Sequence, residues 1–394
     1  MTVPRIVEWR RSQPDFVVYL PRDAGGTDAE NQHLNVVATP SGSFLAFWTQ
    51  ATEENAPDQR VVVSRSTSRG NTWSPPSVID GAQPGDPPGT GLASWEFPII
   101  APGMAADGGA RVYCFYNKNV GINDAREDTT GVLRVRYSDD DGLTWSDGTF
   151  DYPVAPNALS NPDLAVPPNW IVYQTPGATR EGHVLAGFTR WASDAISTMG
   201  LLERSSEVCF LRFENILSER DPARLVVTTW PRADHSIRIP APGNPEISVA
   251  QEPSVQVLSD GRLICVMRAL TGMVHFALSE DDGRSWGETA PLCREPGGKP
   301  LLNPIAPCPL YRFGDGRFLL IFYNNDGSGN GGSGPTDYLR NRTPAYCAIG
   351  KLGTAPYFSL LSKTTDCLEA TRVLALDALA PVGGLAADYE VWYR

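Results

Sequence analysis

The sequence predicts an all-β chain folded as a single β-propeller over residues 1–394, six blades first, with five or seven as the alternatives. Three observations carry that expectation. The pattern S-x-D-x-G-x-[T/S]-W occurs as "SDDDGLTW" from Ser138 and as "SEDDGRSW" from Ser279. It occurs again as "STSRGNTW" from Ser66, with Ser68 in place of the Asp. A second pattern, a polar or Gly turn followed by a strongly apolar strand, recurs as "GSFLAFWTQ", "GARVYCFYNK", "GHVLAGFTR", "GRLICVMRA" and "GRFLLIFYNN". Finally, 37 Gly, 34 Pro and 10 Trp suit many short strands joined by turns, so helices should be few.

Each octapeptide follows an alternating strand: "RVVVSR", "VLRVRY" and "MVHFAL". The pattern has the chemistry of a tight turn: the Asp carboxylate accepts backbone N–H groups, Gly supplies a positive φ, and Trp packs back on the strand. The copies start 72 and 141 residues apart. The second spacing is about twice the first, which predicts a copy with a degraded turn between them. The leftover strands "FVVYLP" and "YEVWY" at the two ends should close the ring.

A net charge of −12 argues against nucleic acid or an anionic membrane as partner, so an anionic ligand would need a local Arg cluster. Seven Cys, at 114, 209, 265, 293, 308, 347 and 367, show no metal-like pairing, and several sit in apolar runs where buried free thiols are expected. The first residues contain no apolar leader-like stretch and no run is long enough to span a membrane. With reduced thiols, this predicts a cytoplasmic protein. No Rossmann or P-loop fingerprint occurs, so no cofactor is expected, and no metal site is assigned.

Aligned by hydrophobic register, the five apolar strands place Thr49, Asn117, Thr189, Arg268 and Tyr323 at the same point near the strand end. In a propeller that register makes them a candidate substrate-binding ring around the central funnel.

The octapeptide resembles the Asp-box, or BNR repeat, of the sialidase superfamily, where the boxes lie on the rim away from the active site and are structural. "QEPSVQVLSDGRLICVMR" is similar to a segment of that family carrying a catalytic Glu and one Arg of a carboxylate-binding triad. The resemblance implies that Glu252 is that Glu and Arg268 the second triad Arg; the alternative is a structural Glu–Arg pair within one blade. For the third, "DYLRNRTPAYCAIG" offers Arg340 and Arg342, with Arg342 better placed just ahead of a strand. The Gly-rich "NNDGSGNGGSGPTD" before it reads as a flap over the funnel. The resemblance also implies an acid at Asp58, with Glu53 and Glu54 competing, and a Tyr nucleophile at Tyr389, with Tyr338 and Tyr346 as rivals.

The pattern breaks at the first triad Arg. Here "ENQHLNVVATPSGSFLAFW" has no Arg, and Arg5, Arg10 and Arg11 upstream lack the motif. His33 stands at about that place, nine residues before Gly42, as Glu252 stands nine before Gly261. Two chemistries follow, each on a small acidic oligosaccharide. One is hydrolysis at a terminal acidic sugar, with Glu252 activating the Tyr and Asp58 protonating the leaving oxygen. The other is elimination from a uronate, with His33 or a Tyr removing the α-proton. A propeller that binds glycans without turnover is the third reading. His183, His235 and His275 are expected to be surface or satisfied core residues.

Overall fold

Each of the five apolar strands is the second strand of its own antiparallel sheet. The computed structural model describes residues 16–23, 25–82, 90–164, 169–172, 174, 176–233, 235–295, 297–342, 345–352, 358–360 and 371–374. Blade 1 runs Glu30–Ala38, Phe44–Ala51, Arg60–Ser66, Ser77–Gly81, and blade 2 runs Thr90–Ala101, Arg111–Val120, Val132–Ser138, Phe150–Tyr152. In blade 3, Trp170–Val172 and Gly177–Ala178 both pair with Val184–Trp191, followed by Ser206–Phe213 and Val227–Trp230. A two-stranded ribbon, Pro240–Ala241 with Asn244–Ser248, leads into blade 4: Gln251–Val257, Leu263–Arg268, His275–Ser279 and Ala290–Pro291. Blade 5 runs Leu310–Arg312, Phe318–Phe322, Ala345–Leu352 and Phe358–Leu360, with Thr371–Leu374 also on its third strand.

The described residues therefore form five blades, the stated alternative to six. The extra blade was inferred from leftover strands at the chain ends. "FVVYLP" is not a strand: Tyr19 of that stretch leans on Trp48 of blade 1, ring centroids 5.7 Å apart. "YEVWY" lies outside the described residues. The degraded copy is blade 3, where the loop after Ser206–Phe213 holds a 3₁₀ turn, Pro222–Arg224, instead of the octapeptide. Among the described residues, the α-helix is one turn, Tyr338–Asn341.

The apolar second strands are buried where neighbouring blades pack against them. The main cores lie between consecutive blades: Phe47 and Val61 with Val112 and Tyr116 between blades 1 and 2, and Phe97, Phe115, Phe188 and Phe213 between 2 and 3. Phe210 and Leu185 meet Cys265 and Met267 between blades 3 and 4, and Val266 and Phe276 meet Leu310 and Phe322 between 4 and 5. This is face-to-face sheet packing.

The octapeptide turns have the expected bonds. Ser138 Oγ accepts from Gly142 N (2.8 Å) and Asp140 accepts from Thr144 N (2.8 Å). Ser279 and Asp281 make the same pair of bonds with Gly283 and Ser285, at 2.8 Å each. In the first copy the Ser68 hydroxyl takes over, accepting from Thr72 N at 2.8 Å. Two residues of each turn are left-handed: Arg69 and Gly70, Asp141 and Gly142, Asp282 and Gly283.

Trp73 packs within its own blade, against the cluster of Ala46, Trp48 and Val62, as expected, and the other two turn Trp residues reach further. Trp145 packs edge-on to Phe47 (5.7 Å) and Trp286 stacks on Phe210 (4.4 Å), each on the preceding blade and not on its own strand. The residue before Gly reaches the same way. Asp141 takes Arg65 (2.6 Å) and Asp282 takes Arg212 (3.3 Å), each guanidinium coming from the third strand of the preceding blade. The turns are latches between blades. Cys114, Cys209, Cys265, Cys293 and Cys308 are free, and all but Cys293 are buried.

Candidate active site

The first strands of neighbouring blades meet around the funnel, and three of them are interrupted at one residue. His33 (φ 62°), Trp95 (φ 54°) and Glu252 (φ 53°) are left-handed. Each sits where the register with the second strand slips, at Gln32/Asn35, Ser94/Phe97 and Gln251/Ser254. A bulge of this kind re-aims a side chain, and a bulky residue at positive φ is strained, a combination concentrated at functional sites.

The predicted ring residues hold these bulges. Thr49 Oγ1 accepts the Trp95 N–H (2.9 Å) and donates to Glu96 (2.8 Å). Thr189 Oγ1 accepts the Glu252 N–H (2.7 Å). The Asn117 amide donates to the carbonyls of Asp128 (3.2 Å) and Trp170 (3.4 Å). All three are buried and bond across to the next blade, so the register is real but the groups face backbone. Tyr323 is buried as well. Burial pushes its phenol up, Arg342 and Arg268 oppose this, and Glu252 adds to it. Of the five ring positions, Arg268 lines the pocket.

That pocket holds about 260 Å³. Arg268 Nη1 lies 2.9 Å from Glu252 Oε2, while its Nε and Nη2 donate to Gln251 Oε1 at 3.2 and 2.8 Å. Arg342, from blade 5, donates to the Ile305 carbonyl (2.6 Å), which also accepts from Arg268 (3.3 Å). One carbonyl thus brings two guanidiniums from different blades together. Burial pushes the Glu252 carboxyl up to about 7, against the pull of Arg268, Arg342 and His33, with Glu54 adding to the rise.

Other predicted residues fall differently. Asp58 does not line the pocket: it accepts from Thr52 N (3.2 Å) and Oγ1 (2.6 Å) and closes its own loop. Its competitor Glu54 does line the pocket, 3.3 Å from Arg126. Arg126 was not picked out from the sequence. It lies on a loop without periodicity, held by Asp128 at 2.7 and 2.5 Å, and only tertiary contact brings it to the pocket.

His33 shares its bulge geometry with Glu252, but its side chain is 0% exposed, with Nδ1 3.5 Å from Glu96 and its ring edge-on to Trp95 at 5.4 Å. Trp95 reaches the pocket; His33 does not line it. Tyr338 lines the pocket, with the Arg342 guanidinium 5.4 Å from its ring. Tyr389, Arg5, Arg10 and Arg11 lie outside the described residues. Arg340 is exposed and pairs with Asp337 (3.0 Å).

The Gly-rich stretch is tied to the helical turn Tyr338–Asn341: Asn325 and Asn330 donate to the carbonyls of Asn341 and Arg340, and Asn341 donates to that of Gly334, at 2.8–2.9 Å. His235 and His275 bond to Glu207 and Thr271. Glu181, His183 and Asp282 stand close enough together for a metal, but Arg212 lies 3.3 Å from both carboxylates and supplies the positive charge.

Residues 42–343 match the family described as BNR repeat-like domain. The chain belongs to that family. A comparison with curated protein sequences finds no match. Among solved structures, this BNR repeat-like chain is similar to the Hadza microbial sialidase Hz136 (17% identity, TM-score 0.55, covering 84% of this chain). It spans 58% of that sialidase's length. It is also similar to the intramolecular trans-sialidase from Ruminococcus gnavus (15%, TM-score 0.53, covering 86% of this chain and 84% of that one). The α-L-arabinofuranosidase Arb93A from Fusarium graminearum is a third (14%, TM-score 0.52, 84% and 80%). At these identities the likeness shows a shared fold.

Proposed function

We propose that this BNR repeat-like propeller is a glycosidase that hydrolyses the bond to a terminal acidic sugar. The observation that carries the reading is one pocket holding the Arg268–Arg342 pair and two carboxylates, Glu252 and Glu54. The guanidiniums take the sugar carboxylate, a planar acceptor they match in shape and charge. Glu252, titrating near 7, can accept or give a proton at neutral pH. Glu54 replaces Asp58 as the acid toward the leaving oxygen. Two carboxylates on one pocket are what glycoside hydrolysis asks of a protein. With His33 buried away from the pocket, the alternative of elimination from a uronate would fall to a Tyr as base, and Tyr338 lines the pocket.

The test is one incubation with two readouts, on oligosaccharides ending in glucuronate, rhamnosyl-glucuronate or sialate. Mass spectrometry of a water-added product with flat ultraviolet absorbance is the expected result. Rising absorbance of an unsaturated uronate would replace hydrolysis with elimination. Binding without any product would leave a glycan-binding propeller.

A further inference from the structure

Two buried hydrogen-bond donors on residues that line the pocket have no acceptor among the described residues. They are Gln32 Nε2 and Trp95 Nε1, on side chains of residues only 8% and 7% exposed. Neighbouring indoles are satisfied: Trp170 donates to the Gly131 carbonyl (3.2 Å) and Trp191 to that of Leu201 (3.0 Å). Leaving a buried donor unpaired costs its desolvation with nothing in return, so a retained one calls for an explanation. The two residues meet at Thr49: Gln32 pairs with it across the first two strands of blade 1, and the backbone N–H of Trp95 bonds to Thr49 Oγ1. Trp95 is also held in a left-handed conformation that a bulky side chain avoids. Unsatisfied donors and local strain therefore coincide in residues that line the pocket.

We infer that Gln32 and Trp95 form a neutral donor pair for hydroxyl oxygens of the same sugar whose carboxylate meets Arg268 and Arg342. The ligand is then an acid that carries free ring hydroxyls near its carboxylate, and the clamp combines two cations with two uncharged donors. This rests on the acidic-sugar reading and sharpens it. Hydroxyl recognition by groups otherwise left unpaired discriminates strongly against a ligand lacking the hydroxyl.

Calorimetric titration of the full chain tests it, using methyl glucuronoside, its 2-, 3- and 4-deoxy analogues, N-acetylneuraminate and neutral methyl glucoside. Gln32→Leu and Trp95→Phe should each weaken the best acidic ligand about five- to tenfold, the loss of one hydrogen bond. For one analogue lacking the hydroxyl that Gln32 meets, the Gln32→Leu loss should vanish. The Tm of Gln32→Leu should equal or exceed that of the parent, since an unpaired buried amide is removed. Affinities within about twofold of the parent in both variants would sink the donor pair. So would an equal loss for every analogue with a lowered Tm, which would mark a structural role. The acidic-sugar reading fails separately, if Arg342→Met leaves the affinity unchanged or if only the neutral glucoside binds; in the latter case its loss in Gln32→Leu would keep the donor pair. No binding of any glycoside overturns both.

Discussion

At the scale of single residues, Glu252 couples the chemistry to stability. In the folded protein it keeps its proton to about pH 7, while the unfolded carboxyl releases it near 4.5. Between those values the native state binds more protons, so this group's contribution falls as pH rises, by about 3 kcal/mol in all. Glu252→Gln, which mimics the neutral acid, should match the parent's Tm at about pH 4 and exceed it increasingly up to about pH 7. A Tm difference that does not change with pH would contradict this. Glu54 and Asp58 separate by function: Glu54→Gln should cost about 10²-fold or more in kcat, the worth of a general acid. Asp58→Asn should leave kcat nearly unchanged. Glu252 and Arg268 were legible from a segment whose spacing resembles a known one, and Arg342 from its place just ahead of a strand. The choice of Glu54 over Asp58 was not, because it depends on which carboxylate the Thr52 backbone captures. Arg126 was hidden for a related reason: its loop has no period, and Asp128 and Glu54 place it only after folding.

At the scale of elements, the second strands announced themselves because neighbouring blades pack against them, leaving near-continuous apolar runs. The first strands did not. Their stretches "NQHLN", "SWEFP" and "QEPSV" mix polar and apolar residues because a bulge breaks the alternation where the site is built. The turns offer a direct measurement. Asp281 accepts from Ser285 N, Ser285 Oγ and Ser279 Oγ at 2.6–2.9 Å, so Asp281→Ala should destabilise the chain by about 1–2 kcal/mol, read by denaturant unfolding. Ser68→Asp should do the opposite, restoring a carboxylate where a hydroxyl now serves, by up to about 1 kcal/mol. Asp141 feels the opposite pH sign to Glu252. Burial raises its carboxyl, but bonds from Thr39, Arg65, Ser43 and Ser41 outweigh this and hold it at about 2. Its contribution is present above 3.8 and is lost as pH falls toward 2.

At the scale of the whole molecule, a chain of net charge −12 gathers three guanidiniums at one pocket. Binding of an acidic sugar should weaken as salt rises, since the attraction is partly screened, and a neutral glycoside should show no such slope. The blade count was the part of the architecture read less well, because the stretches that suggested a sixth lie at the chain ends, where "FVVYLP" lies beside blade 1 instead of pairing as a strand. The latches have a consequence for how the ring is made. Trp145 and Asp141 reach back to blade 1, and Trp286 and Asp282 reach back to blade 3. A chain leaves the ribosome from its N-terminal end. Each of these turns therefore emerges after the surface it grips, so every such blade is born facing a finished template and the propeller can wind up in the order in which it is translated.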